Sequence, residues 1–255
     1  MHIQSYGTSD KGMLRDHNED NYLINEEEQL FLVADGMGGL SKGDVASRIA
    51  IDTIGHFIVQ SRTEDITWPI KPQADYSMEE NRLLAGISLA NWNIFTEFQK
   101  DERHRSMGTT LVGLLVEGDF KVVIANVGDS RIYRIRDNEI QQITDDHSLV
   151  MEEVRRGNLT REEARHHPQK HVINRALGIS DSTKVDISSL QVKTEDLFLL
   201  CSDGLSDMLS DETMLSIVQS NRATSLKAAG DRLIEEANGA GGKDNSTVVL
   251  VSFHD

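Results

Sequence analysis

The 255 residues carry 42 acidic against 26 basic side chains, a formal charge of −16, and 38% of them are hydrophobic. That balance argues against nucleic-acid binding, which needs clustered Lys and Arg, and leaves an ordinary globular core. One cysteine rules out an internal disulfide, and with neither a membrane-length apolar stretch nor a signal-peptide layout, a cytoplasmic protein is expected.

The first apolar run, 31–34, reads as a strand that closes on Asp35-Gly36. Ser41 is placed to cap a helix whose stripe is Val45, Ile49, Ile54, Phe57 and Ile58. After an irregular stretch at 68–75, a second helix is predicted over 79–100, with Leu83, Leu84, Ile87, Ala90, Ile94 and Phe98 on one face. Strands follow at 110–116, 121–126 and 131–136, and Gly118-Asp119 and Asp137-Asn138 read as hairpin turns, so this region is antiparallel.

The segment 145–170 differs in character: two short, highly charged helices at 148–156 and 160–165, the second opened by a Thr160/Glu163 capping box, predict a surface flap. His147 is expected to order a turn before it, and His166, His167 and His171 to be solvated. The strand at 197–201 carries Cys201, read as a buried strand residue. Helices at 212–220 and 224–238, the latter stopped by Gly239, precede a last strand at 247–253. Two helix pairs around a strand-rich centre predict an α+β layered sandwich, sheet inside and helices outside, in one domain over 1–255.

Five acidic motifs sit at the ends of these runs: Asn18-Glu19-Asp20, Ala34-Asp35-Gly36, Gly128-Asp129-Ser130, Ser202-Asp203-Gly204 and Asp244-Asn245. Alone, each is turn chemistry. Gathered at one sheet edge, the carboxylates would repel unless cations held them, which points to a multinuclear site of oxygen ligands. Hard oxygen donors without a Cys/His cluster suit Mn²⁺ or Mg²⁺ and speak against zinc. Two such ions about 3.5–4 Å apart lower the pKa of a bridging water and clamp a phosphate for in-line attack without a covalent intermediate.

The motifs also carry a resemblance. Arg15-Asp16-His17-Asn18-Glu19-Asp20, Val33 to Gly39, Gly108-Thr109-Thr110, Asn126 to Arg131, Ile173 to Gly178, Cys201 to Asp207 and Asp244 to Thr247 run in the order found in the metal-dependent Ser/Thr protein phosphatases of type 2C. The chain resembles their compact bacterial form over nearly its whole length. The resemblance implies a four-layer αββα sandwich, two central antiparallel sheets flanked by helix pairs, with a small helical flap. It implies that Asp35 bridges two metal ions, that the Gly36 carbonyl binds one, and that Asp203 and Asp244 ligate the pair. Glu19 and Asp20 would act mainly through waters, Arg15 would grip the phosphate, and Asp129 and Asp207 would join Asp203 around a third, weaker ion found in some members. Gly36 is expected to leave room for close approach of backbone to metal.

Where many eukaryotic relatives carry a histidine after the Asp-Gly, this chain has Met37, which cannot donate a proton. A water near Asp129 and the flap residue His167 are the candidate acids. Arg131 and Arg175 read as structural partners of acidic neighbours. The expected partners are phosphorylated proteins, among them a Ser/Thr kinase and its substrates or a partner-switching regulator, with no nucleic acid, no membrane and a monomeric chain. The alternatives are a non-catalytic phosphoprotein-binding module of the same fold and a metal-dependent phosphodiesterase or nuclease.

Overall fold

The computed structural model describes residues 2–38, 42–99, 107–118, 120–222 and 224–254. Ser41, Gly39, Lys100 and Asp119, which entered the readings above, lie outside them. Two antiparallel sheets form the centre. In one, β1 (His2–Asp10), β11 (Ser246–His254), β10 (Leu197–Cys201), β7 (Arg131–Arg136) and β8 (Glu139–Gln142) lie side by side in that order. In the other the order is β2 (Asp20–Asn25), β3 (Leu30–Met37), β5 (Leu111–Glu117), β6 (Lys121–Val127) and β9 (Asp186–Gln191), with the short β4 (Gly108–Thr109) paired to β3.

Period-two alternation divides the apolar residues between layers. In β3, Leu30, Leu32 and Ala34 face a helix pair, whereas Phe31 and Val33 face the other sheet. In β10, Leu197, Leu199 and Cys201 face the second helix pair, while Phe198 and Leu200 turn inward. The inter-sheet core includes an edge-to-face pair of Phe198 and Phe253, ring centroids 5.7 Å apart. The first helix pair is α1 (Gly43–Thr63) and α2 (Met78–Gln99), the second α6 (Asp211–Arg222) and α7 (Leu226–Gly239). Helix, sheet, sheet and helix thus stack as four layers with three apolar cores.

The helical stripes need adjustment. The α2 stripe is buried as expected, but α1 turns Ala46, Ala50, Ile54 and Ile58 to the core and leaves Val45 exposed, because the i, i+4 row runs one position later. Ser225 caps α7 by accepting from the Ala228 amide, and Gly239 is the last helical residue, not the stop. The reversal comes at Gly241 and Gly242, both with positive φ.

β5–β6 and β7–β8 are hairpins, the latter turning through Asp137 and Asn138 with φ of 50° and 63°. The chain crosses from one sheet to the other between β6 and β7, through Gly128-Asp129-Ser130. Strands β1, β2, β8 and β9 have no counterpart in the sequence reading. All four are edge strands of partly exposed, polar-rich composition, so no apolar run marks them. The flap holds α3 (Leu149–Arg155) and α4 (Arg161–His166), with the Thr160/Glu163 capping box in place. No helix among the described residues is long and apolar enough to cross a membrane.

Candidate active site

Strand ends bring the acidic motifs together. Asp20 opens β2 directly opposite Asp35 on β3. Asp203 follows β10 as the first residue of α5 (Asp203–Ser206), Asp244 lies just before β11, and Asp129 sits at the crossing between sheets. Asp35, Asp129, Asp203 and Asp244 line one cleft of about 270 Å³ together with Arg15 and Glu19. Asp20 lies behind that lining, 6% exposed. Asp207 lines an adjoining cleft of about 650 Å³ beneath the flap, which shares Asp129, Asp203 and His171 with the first.

The carboxylates repel one another. Lost hydration, then the charges of Asp20 and Asp203, hold the Asp35 carboxyl well above its ordinary range. Lost hydration, then Asp244 and Asp207, push Asp203 up to about 6. Burial pushes Asp20 up to about 7 against the pull of two hydroxyl donors, Thr247 and Ser202. Asp129 is raised by lost hydration and by Asp203. The Oδ1 atoms of Asp20 and Asp203 are shut off from solvent with no hydrogen-bond partner. Orphaned carboxylate oxygens in an overcharged cluster are what cation ligands leave when the cation is subtracted.

Hydroxyl groups hold this cluster in place. Thr110 Oγ1 accepts from the Asp35 amide at 3.1 Å, its own amide donates to the Asp35 carbonyl at 2.9 Å, and its hydroxyl meets Ser130 Oγ at 2.7 Å. Thr109 Oγ1 also donates to the Asp35 carbonyl, at 2.9 Å. Ser202 Oγ and Thr247 Oγ1 each donate to Asp20 Oδ2 at 2.7 Å, stitching one sheet to the other. Asn245 ties the 11–19 loop to the site: its side chain accepts from the Glu19 amide and donates to the carbonyls of Lys11 and His17. None of these roles was assigned from the sequence, since each contact joins residues remote along the chain.

Gly36 also has a packing role. A Cβ there would lie 2.1 Å from the Gly43 carbonyl oxygen, so the space is taken by the first turn of α1. Glu19 fastens the same turn, its Oε1 accepting from the Gly43 amide at 3.0 Å. Arg15 Nη2 donates to Asp244 Oδ2 at 2.6 Å, which commits only part of its donor fork.

His166 and His171 are exposed, as expected of solvated flap side chains. His167 Nδ1 accepts from the Gln169 amide, and the residue lines neither cleft. His171, though exposed, lines both clefts, with Nδ1 3.3 Å from Asp207 Oδ2. Among the described residues, the three groups whose ligand atoms all lie within 4.8 Å of one another are His171, Asp203 and Asp207. Lys170 Nζ also reaches Asp207 Oδ2, at 2.9 Å. Arg131 chelates Asp146 and Arg175 pairs with Asp186, as structural partners. Cys201 is fully buried with its thiol pushed up to about 12, which leaves it inert.

The protein phosphatase 2C family model matches residues 14–236. The chain belongs to the protein phosphatase 2C family. Its relatives include the serine/threonine phosphatase stp of Listeria welshimeri, 39% identical over 95% of this chain and 93% of that one. Among solved structures, the Mycobacterium tuberculosis serine/threonine phosphatase PstP superposes on this 2C chain with a TM-score of 0.86 and 34% identity, covering 99% of each. The PstP catalytic domain solved with two manganese ions gives a TM-score of 0.83 at 34% identity, again over 99% of each chain.

Proposed function

We propose that this chain is a metal-dependent phosphatase that hydrolyses phosphoserine and phosphothreonine in proteins, with Asp35, Gly36, Asp203 and Asp244 holding two divalent ions and Arg15 holding the phosphate. The observation that carries this is the meeting of Asp35, Asp203, Asp244 and Arg15 in one cleft of a protein phosphatase 2C chain. The donor set fits Mn²⁺ or Mg²⁺: it is all oxygen, it carries excess negative charge, and Asp203 Oδ1 has no other partner. When bound, two such ions supply Lewis-acid polarisation of the phosphoryl oxygens and an acidified water.

The chain's own residues do the rest. Arg15 spends one N–H on Asp244 and keeps donors for a phosphate, so it aligns the substrate against the carboxylates. Thr109 and Thr110 fix the Asp35 backbone, which keeps its carboxylate aimed without help from the substrate. Glu19 and Asp20 serve from behind, Glu19 by holding α1 and Asp20 by offering Oδ1 towards the cluster. Met37 donates no proton, which leaves the leaving group to a solvent molecule near Asp129. Asp129, Asp203 and Asp207 make up the third, weaker site, joined by His171 on the flap side.

Residues 1–255 act as one phosphatase domain with 145–170 as its flap, because β1 and β11 from opposite ends of the chain pair in one sheet. The partners are phosphorylated cytoplasmic proteins, including a Ser/Thr kinase and its substrates, met by a monomer. The test is Mn²⁺-dependent release of phosphate from a phosphothreonine peptide, with Asp203→Ala as control. A folded wild-type protein that binds the peptide tightly in Mn²⁺ yet never turns it over would be a binding module instead.

A further inference from the structure

His147 is 1% exposed and makes five directed contacts, none of them with the cleft. Its amide donates to the Gly128 carbonyl at 2.9 Å, and its Nδ1 accepts from the Gly128 amide at 3.2 Å. Its carbonyl accepts from the Asn174 amide at 2.8 Å, where the chain returns from the flap. Because Nδ1 is an acceptor, the neutral ring carries its proton on Nε2, which faces Asp186 Oδ2 on β9 at 3.1 Å. Arg175 Nη1 donates to Asp186 Oδ1 at 3.0 Å and also lies 3.1 Å from His147 Nε2, which closes the group.

The neighbours of His147 extend the grip. Asp145 accepts at its carbonyl from Asn126 Nδ2 at 2.8 Å, and the Asp146 carboxylate takes Arg131 Nε and Nη2 at 3.0 and 2.7 Å. Residues 145, 146 and 147 therefore hold 126, 131 and 128 in turn, and Asp129 lies in the middle of the gripped stretch. Gly128 has φ +108°, and a Cβ there would lie 2.6 Å from Thr110, so only glycine fits, and its permissive backbone depends on outside contacts to be held in one course. What fixes the Gly128 peptide fixes the direction of Asp129, which faces Asp203 across the cleft.

We infer that His147 is the positioning residue for Asp129, setting through Nδ1 the Gly128 peptide that aims this carboxylate, and tying the flap's return segment to the same peptide. This rests on the reading of Asp129 as a ligand of the third, weaker metal site. His147 touches neither substrate nor metal; it acts through the Gly128 peptide.

Two substitutions separate the two ring nitrogens. His147→Asn leaves a carbonyl oxygen near Nδ1 and keeps the acceptor for Gly128, whereas His147→Gln places its polar end near Nε2 and loses it. Mn²⁺ binding to the metal-free full chain is followed by calorimetry, with free Mn²⁺ counted by electron paramagnetic resonance. His147→Gln should weaken the weakest Mn²⁺ site about tenfold or more and leave the two tighter ions unchanged, while His147→Asn stays within about threefold of wild type. Asp129→Asn should lose that site altogether. An Asp129→Asn protein that binds Mn²⁺ like wild type sinks the third-site reading itself. Loss in Asp129→Asn with none in His147→Gln, or equal losses in both histidine variants, overturns the positioning role alone. If His147→Gln does not fold, wild type with ¹⁵N-labelled histidine decides: the His147 ring signals should show an unprotonated Nδ1 and move as the last equivalent of Mg²⁺ binds, and static signals overturn the inference.

Discussion

The two halves of the site are built by different physics. On the strand side, Asp20 and Asp35 are held by ladder register and by buried Ser and Thr hydroxyls that cross between sheets. On the flap side, Asp207 meets Lys170 and His171 through part-exposed ion pairs, their geometry set by flexible side chains. Buried hydrogen-bond networks rigidify, whereas solvent-facing ion pairs are worth little and bend to salt. The strand side is therefore a fixed frame and the flap side an adjustable one, in a single cleft system.

Disabling the frame should cost most. Asp35→Asn should lower kcat/KM for a phosphothreonine peptide by roughly 10³-fold, about 4 kcal/mol of transition-state stabilisation. A variant retaining a tenth of the activity would move the catalytic burden away from Asp35. Gly36→Ala pushes a methyl into the Gly43 peptide and should cost about 3 kcal/mol, read as a drop in the urea midpoint at constant slope. Unchanged unfolding would mean that α1 can shift freely against β3.

Thr247→Val keeps the shape of a buried side chain but removes a donor from Asp20, so about 1–3 kcal/mol of stability should go. An equal loss in Lys170→Met would erase the contrast between frame and flap.

Acidification tests the hinge between them. Burial holds the His147 imidazole below its ordinary value of 6.5, against the pull of the facing Asp186 and with the push of Arg175 and Arg155. The unfolded chain then takes up this proton first, so the contribution is complete above pH 6.5 and is lost as pH falls below it. Melting temperatures measured from pH 7.5 down to 5 should fall more steeply for wild type than for His147→Asn. The comparison removes Asp20 and Asp203, whose raised values act in the opposite sense in both proteins. Parallel curves would show that His147 does not titrate in this range. The smallest effect is expected for Lys170→Met, below about 1 kcal/mol and vanishing in high salt, by thermal melts at two ionic strengths.

Much of the frame was legible because its carboxylates terminate apolar runs: Asp35 after 31–34 and Asp203 after 197–201 announce themselves by period and punctuation. What holds them was not. Thr247 and Asp20 are 227 residues apart in the chain, and nothing in either neighbourhood marks the bond. Asp20's strand is an edge, so its register with Asp35 is a tertiary fact. His171 is exposed, as its charged flap suggests, but only the fold turns that segment back over Asp203 and Asp207. Val45 shows the same limit at smaller scale, since a stripe fits two neighbouring rows until the sheet chooses one.

The position of β11 has a consequence for how the protein comes into being. It is the last strand along the chain, yet it lies between β1, the first, and β10, with residues 248–251 wholly buried. A ribosome delivers β1 long before its neighbour exists, so the sheet stays open until the final strand emerges and inserts. Asp244 and Thr247 arrive with that strand. A nascent chain that has not yet made β11 therefore lacks both the Asp244 wall of the cleft and the Thr247 hydroxyl that holds Asp20, and the cleft is incomplete until that strand inserts.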